Sequence, residues 1–204
     1  MDWLQIFTLI TGVLYMILEV RQKNFMWVVG IATSLAAMWV FFRQGLYASF
    51  GLNTYYFITA FIGLWHWRRD KQTLSSTSVE EVSGDDVIVL NRLTWKTVVV
   101  SAIVCVLGTL ALSVGMSLLH DAGVLKENPM SLLDSAVTSL SVVATWWLVR
   151  SYLEQWWLWI VADIMSTVLC AAQGLWWMAA LYVAYVVAAA VGLIHWKKRG
   201  HYVI

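Results

Sequence analysis

The sequence predicts an all-α integral membrane protein with seven transmembrane helices, arranged as a parallel 3+1+3 repeat. Three observations predict it: a composition too apolar for water, seven apolar runs of spanning length, and a self-similarity at a spacing of 129 residues. Of the 204 residues, 61% are hydrophobic and 12% are charged, whereas soluble domains carry about 25% charged residues. A soluble domain of this length has no interior large enough to hide so much apolar surface. The 13 Lys and Arg nearly balance the 12 Asp and Glu, so net charge implies no nucleic-acid partner.

Crossing a hydrocarbon core of about 30 Å takes roughly 17–25 apolar residues. Seven runs qualify: 3–20, 25–42, 46–67, 97–119, 131–149, 156–172 and 175–196. The first reads as a retained span rather than a leader peptide. Asp2 opens the chain, no basic residue precedes the run, and Tyr15, Met16, Ile17 and Leu18 leave no small-residue cleavage site. Pro129, after Asn128, suits the first turn of the fifth helix, where a missing N–H costs nothing. Residues 70–94 are rich in Ser, Thr and acids and read as an exposed loop, not a second domain. Cys105 and Cys170 lie inside apolar runs and read as buried free thiols. The chain therefore divides into a first three-helix repeat (1–69), a cytoplasmic polar loop (70–96), a linker helix with an outer loop (97–127), and a second three-helix repeat with a basic cytoplasmic tail (128–204).

Orientation follows from the distribution of Lys and Arg. With the N-terminus outside and the C-terminus inside, the cytoplasmic side holds Arg21, Lys23, Arg68, Arg69, Lys71, Arg92, Lys96, Arg150, Lys197, Lys198 and Arg199. The outer side holds only Arg43 and Lys126, so the bias is 11 to 2. Glu19 beside Arg21 reads as a snorkelling ion pair at the cytoplasmic edge.

The repeat appears when the sequence is shifted on itself by 129 positions. Residues 9–70 and 138–199 share 15 identities in 62 positions without gaps. Trp27 meets Trp156, Gln44-Gly-Leu46 meets Gln173-Gly-Leu175, and Tyr56 meets Tyr185. Gly-Leu-Trp-His-Trp ending at Trp67 meets Gly-Leu-Ile-His-Trp ending at Trp196. One helix between two triplets makes the copies parallel, related by an axis along the membrane normal, as in the sugar-carrying SWEET proteins. Duplicated halves of this kind place a substrate site between them near mid-bilayer, which points to a transporter by analogy of fold.

The polar residues inside the spans are the candidates for that site. A carboxylate at helix centre costs about 2.5–3.5 kcal/mol to insert. Asp163 sits seven residues into the sixth span, and its repeat mate is Ser34, so packing symmetry does not require the charge. Trp156, Trp159 and Asp163 are spaced i, i+3, i+7 and share one helix face. Two indoles and an acid on one stripe suit a flat cation, held by aromatic faces and a countercharge. The structural alternatives are a hydrogen bond across the helix interface for Asp163 and an interfacial aromatic belt for Trp156. Asn53, followed by Tyr55, Tyr56 and Phe57, has Tyr182 as its mate, with Tyr185 one turn on. These polar groups serve either a site or helix packing. Gln44 and Gln173 read as turn or capping residues. His66 and His195 read as interface residues beside basic side chains rather than haem ligands. No cofactor is expected, and no Cys/His cluster has metal-site spacing.

Residues 139–182, 44–67 and 128–135 resemble the PnuC family of vitamin transporters, and the similarity covers nearly the whole chain outside the polar loop. The resemblance implies a 3+1+3 helix fold and uptake of nicotinamide riboside by facilitated diffusion, with related members carrying thiamine or riboflavin. It implies trapping by a cytoplasmic kinase, and some relatives form homo-oligomers. Trp156, Trp159 and Asp163 match a family Trp-x-x-Trp-x-x-x-Asn motif at the substrate site, with Asp in place of Asn. Asn53 stands where nicotinamide riboside carriers have Gln. The acid favours a cationic ring, either nicotinamide riboside or thiamine, over neutral riboflavin. The rival class is an intramembrane enzyme pairing Asp163 with His66 or His195. Against it, the acid lies a turn or more from the histidines' face, and no Gly-x-Ser-x-Gly motif occurs. A scaffold subunit is the third class.

Overall fold

Each of the seven apolar runs forms a helix in the computed structural model, which describes residues 3–43, 47–77, 87–124 and 130–203. The helices are α1 (Trp3–Val20), α2 (Phe25–Arg43), α3 (Tyr47–Thr77), α4 (Trp95–Asp121), α5 (Ser131–Val149), α6 (Gln155–Ala172) and α7 (Trp176–Arg199). Two three-residue strands, β1 (Ile88–Leu90) and β2 (Gly200–Tyr202), were not anticipated. Four helices, α4 to α7, are long and apolar enough among the described residues to cross a membrane. α4 buries none of its side chains, and Val100, Leu107 and Leu118 lie open on its surface. Such a face is stable against lipid and not against water.

Two compact units make up the chain. The first comprises residues Met1–Arg92, Leu148–Leu153 and Gly192–Ile204. Its centre is a tryptophan cluster. Trp27 meets Trp67 edge-on at 5.0 Å, and Trp67 meets Trp196 at 6.2 Å, with all three rings buried. Gly63 makes this possible, because a Cβ there would collide with the Trp27 indole. The first glycine of the Gly-Leu-x-His-Trp pattern is thus a packing requirement. Two of the three indole N–H groups find partners: Trp67 Nε1 donates to the Leu148 carbonyl at 3.1 Å, and Trp196 Nε1 to the Val20 carbonyl at 2.9 Å, whereas Trp27 Nε1 has none among the described residues. Both carbonyls belong to the last turns of their helices, α5 and α1, where intrahelical donors run out; the Leu148 carbonyl also accepts from Ser151 N at 2.9 Å.

The turns that follow α1 and α5 match in backbone. Gln22 and Ser151, 129 positions apart, both adopt the left-handed conformation, with φ of 49° and 54°. Each grips the segment around β1. The Gln22 amide accepts from Val89 N at 2.6 Å and donates to Val89 O at 2.8 Å. The Ser151 carbonyl accepts from Asn91 N at 3.1 Å. Asn91 Nδ2 then donates to Asp70 at 2.7 Å and to the Arg150 carbonyl at 3.0 Å. β1 pairs in parallel with β2, Val89 opposite His201. Lys71 Nζ donates to the Gln22 carbonyl at 2.8 Å.

This network corrects the exposed-loop reading of 70–94 at two places. α3 continues to Thr77, and Ile88, Val89 and Leu90 are buried. The acids and serines mask the pattern because only three consecutive apolar residues carry the burial. Residues 78–86 lie outside the described residues, as do Gln44, Lys126 and Pro129. Glu19 is also buried rather than snorkelling, since α1 directs it inward, one turn beyond Tyr15.

The second unit comprises Leu93–Trp147 and Glu154–Val191. In it α4 and α5 run antiparallel. Trp147 Nε1 donates to Ser101 Oγ at 2.9 Å, Gly108 lies opposite Ser139, and Ser135 Oγ donates to Met116 Sδ at 3.6 Å. Small residues let the backbones approach, as helix pairs in lipid require. α6 ends at Gly174 with φ of 74°. Gly174 N donates to Ala171 O, and Leu175 N donates to Cys170 O at 2.8 Å. This is a Schellman cap, and it is the local reason for Gln173-Gly-Leu175. Cys105 and Cys170 are free thiols.

Candidate functional site

The inward face of α6 carries the candidate site. Gln155, Trp156, Ala162, Asp163, Ser166 and Cys170 are buried, and Trp159 is half-buried between them. At 100° per residue these positions fall within about one third of the helix circumference. Trp157, the neighbour on the outer face, is 58% exposed. Trp156 is 1% exposed, which corrects the belt alternative: the ring is packed inside the protein, and Trp157 takes the outward position.

Asp163 is 6% exposed, and so is its repeat mate Ser34 in the other unit. Equal burial at matched positions, with a charge at only one, leaves the carboxylate without a packing rationale. Its backbone carbonyl accepts from Thr167 Oγ1 at 2.8 Å. No hydrogen-bond or ion-pair partner for its side chain occurs among the described residues. Its neighbours come from α7. Tyr182 and Tyr185 both lie within electrostatic reach of Asp163, and their rings meet edge-on at 6.0 Å. Asp134 of α5 and Cys170 also lie within electrostatic reach of Tyr182. Trp156, Trp159, Asp163, Tyr182 and Tyr185 are therefore brought together within one unit.

Asn53 and Tyr56 stand in the first unit. Tyr56 packs against Tyr55 at 5.7 Å. Tyr15 and Glu19 of α1 lie near it, with both Tyr56 and Glu19 in electrostatic reach of the Tyr15 hydroxyl. Asn53 is half-buried on α3. Sequence reasoning gave Tyr15 no site role and read Glu19 only as a snorkelling ion pair, although their i, i+4 spacing on an apolar helix was a usable signal. His66 lies among Trp65, Arg69, Asp70 and Arg150, and His195 among Arg199 and Arg21. Both sit with the basic residues, as an interface reading requires.

The stripe also holds polar atoms that the protein leaves unbonded. Trp159 Nε1 is buried without a partner, and so are both amide atoms of Gln155, a residue with no exposed surface. An unsatisfied buried donor or acceptor costs about 1–3 kcal/mol. Gln155 was not singled out from the sequence. The available signal was its position four residues before Trp159, which extends the stripe by one turn. Among the described residues no group of three His, Cys, Asp or Glu side chains could hold a metal.

Long apolar helices, with an acid and indoles on one face of α6 and two phenols of α7 beside the acid, are the build of a multi-pass membrane transporter. The family is explicit in the sequence. Residues 2–198 match the model of the nicotinamide mononucleotide transporter family, and the chain belongs to that family. It is 27% identical over 206 residues to the nicotinamide riboside transporter PnuC of Neisseria mucosa, covering 97% of this chain and 73% of that one. It is 25% identical over 222 residues to the PnuC of Escherichia coli, covering 98% and 89%. Among solved structures it is similar to the crystal structure of the vitamin B3 transporter PnuC, with a TM-score of 0.63, 26% identity, and 92% and 77% coverage. The family model and these relatives are named as transporters, which favours the transporter reading over the enzyme one.

Proposed function

We propose that this protein takes up nicotinamide riboside across the bacterial inner membrane by facilitated diffusion with alternating access. One observation carries the reading: Asp163, buried and with no hydrogen-bond or ion-pair partner among the described residues, lies on the Trp156–Trp159 stripe within electrostatic reach of Tyr182 and Tyr185. A flat cationic ring satisfies both parts of that arrangement, by stacking on indoles and by neutralising the acid. Relatives named nicotinamide riboside transporters supply the substrate. Asn53 and Tyr56 of α3 are assigned as further substrate residues. The uptake is downhill, and a cytoplasmic kinase traps the vitamin.

The parallel 3+1+3 repeat belongs to this proposal. It is supported by the paired left-handed turns at Gln22 and Ser151, the paired indole caps of Trp67 and Trp196, and the equal burial of Ser34 and Asp163. Rocking of the two triplets provides alternating access. The 11-to-2 charge bias sets the N-terminus outside and the C-terminus in the cytoplasm. A second reading is thiamine: Asp163 stands where the family motif has Asn, and a full charge suits either cationic heterocycle.

Calorimetry on purified protein with nicotinamide riboside, thiamine and riboflavin tests the assignment, followed by uptake into liposomes. Nicotinamide riboside is expected to bind and to equilibrate without ATP or an ion gradient. Truncating one side of a buried charge pair costs about 2–5 kcal/mol, so Asp163→Ala is expected to weaken binding roughly thirtyfold or more. Wild-type affinity in both Asp163→Ala and Trp159→Ala would end the site assignment, and tighter thiamine binding would exchange the substrate.

A further inference from the structure

Gln155 opens α6 one turn before Trp159, on the same face, wholly buried and bonded at neither amide atom. The next turn repeats the condition, because the Trp159 indole N–H is buried and unbonded as well. Steps of four residues lead from Gln155 to Trp159 to Asp163. One stripe thus presents an amide, an indole N–H and a carboxylate over about 12 Å of helix rise. Folded proteins satisfy almost all their buried polar atoms internally. Among the described residues Gln155 is the one side chain with two buried polar atoms both unbonded, in line with an acid that has no hydrogen-bond or ion-pair partner there; such an amide is built for partners from outside the chain.

The three groups differ in what they can bind. A carboxylate only accepts, and an indole N–H only donates. A carboxamide does both, and so does a hydroxyl, so two neighbouring hydroxyls can occupy Oε1 and Nε2 together. We propose that Gln155 is a specificity residue that binds the sugar hydroxyls of a cationic riboside, while Asp163, two turns along, faces the charge of the ring. The inference rests on the α6 stripe being the substrate site and adds the group that tells a riboside from a bare cationic ring.

The test is calorimetry on the full chain with nicotinamide riboside and with 1-methylnicotinamide, which keeps the charged ring and has a methyl group in place of the sugar. Gln155→Met keeps the volume and removes the amide. It is expected to weaken riboside binding tenfold or more, to leave 1-methylnicotinamide within twofold, and to raise the melting temperature of ligand-free protein. Equal weakening of both ligands, unchanged riboside binding, or a lowered ligand-free melting temperature would each overturn the proposal. If Gln155→Met does not fold, Gln155→Ala is read by the same ligand pair, and misfolding of both makes Gln155 structural and overturns it too. Wild-type protein that binds 1-methylnicotinamide as tightly as the riboside removes the sugar assignment and leaves the cation site standing. Wild-type protein that binds neither sinks the α6 site itself.

Discussion

Gln22 and Gln155 are both glutamines with no exposed surface; Gln22 lies in the turn just before α2, and Gln155 opens α6. The protein treats them in opposite ways. Gln22 turns its amide onto Val89 and is bonded at both ends, at 2.6 and 2.8 Å. Gln155 is bonded at neither. Burial alone therefore says nothing about role; what separates these two glutamines is whether the amide is satisfied. Where the network around β1 closes on itself, polar groups hold the backbone. Along α6, where it stays open, polar groups await something else. Removing a polar side chain should destabilise the first region and stabilise the second.

The largest expected effect is at Asp163. Asp163→Leu removes a buried, unpartnered carboxylate, so ligand-free protein should gain about 2 kcal/mol, read as a raised midpoint of thermal unfolding in detergent, while riboside binding disappears. A lowered midpoint would show that the acid has a structural partner and would erase the contrast. Next, Gln22→Met should lose about 1–3 kcal/mol, because Val89 N–H and C=O are left buried and unbonded. Faster amide hydrogen exchange at residues 88–91 would locate the loss, and unchanged exchange there would contradict it. The smallest effect sharpens the comparison within the paired turns. Ser151 holds Asn91 through its carbonyl, and its hydroxyl is unbonded. Ser151→Gly relieves a left-handed φ and should gain up to about 1 kcal/mol. Gln22→Gly relieves the same strain and should still lose stability, since there the side chain does the holding.

Much of this was legible from the sequence. The helices form where apolar length and charge placement require them, and α1 and α5 coincide with their runs residue for residue. The Trp156–Trp159–Asp163 stripe follows from helical periodicity alone, and Tyr182 and Tyr185 from the repeat. What was hidden depends on contacts distant in sequence. β1 is three residues long, and its partner is 112 positions away, so no local period announces it. Trp156 and Trp157 are indistinguishable by residue type, and only the packing shows which faces inward. Gln155 belongs to the same class, because whether an amide is satisfied is a property of its surroundings.

The pairing of Ile88 with Gly200 also sets an order of assembly. A ribosome adding about 5–20 residues per second delivers the second strand some 5–20 s after the first, once α4 to α7 have been made. Gln22 can seize Val89 during that interval, whereas the strand pair must wait for the seventh helix. Biogenesis therefore completes this end of the molecule last, and a chain halted after α6 would carry a half-finished clasp that quality-control proteases could recognise.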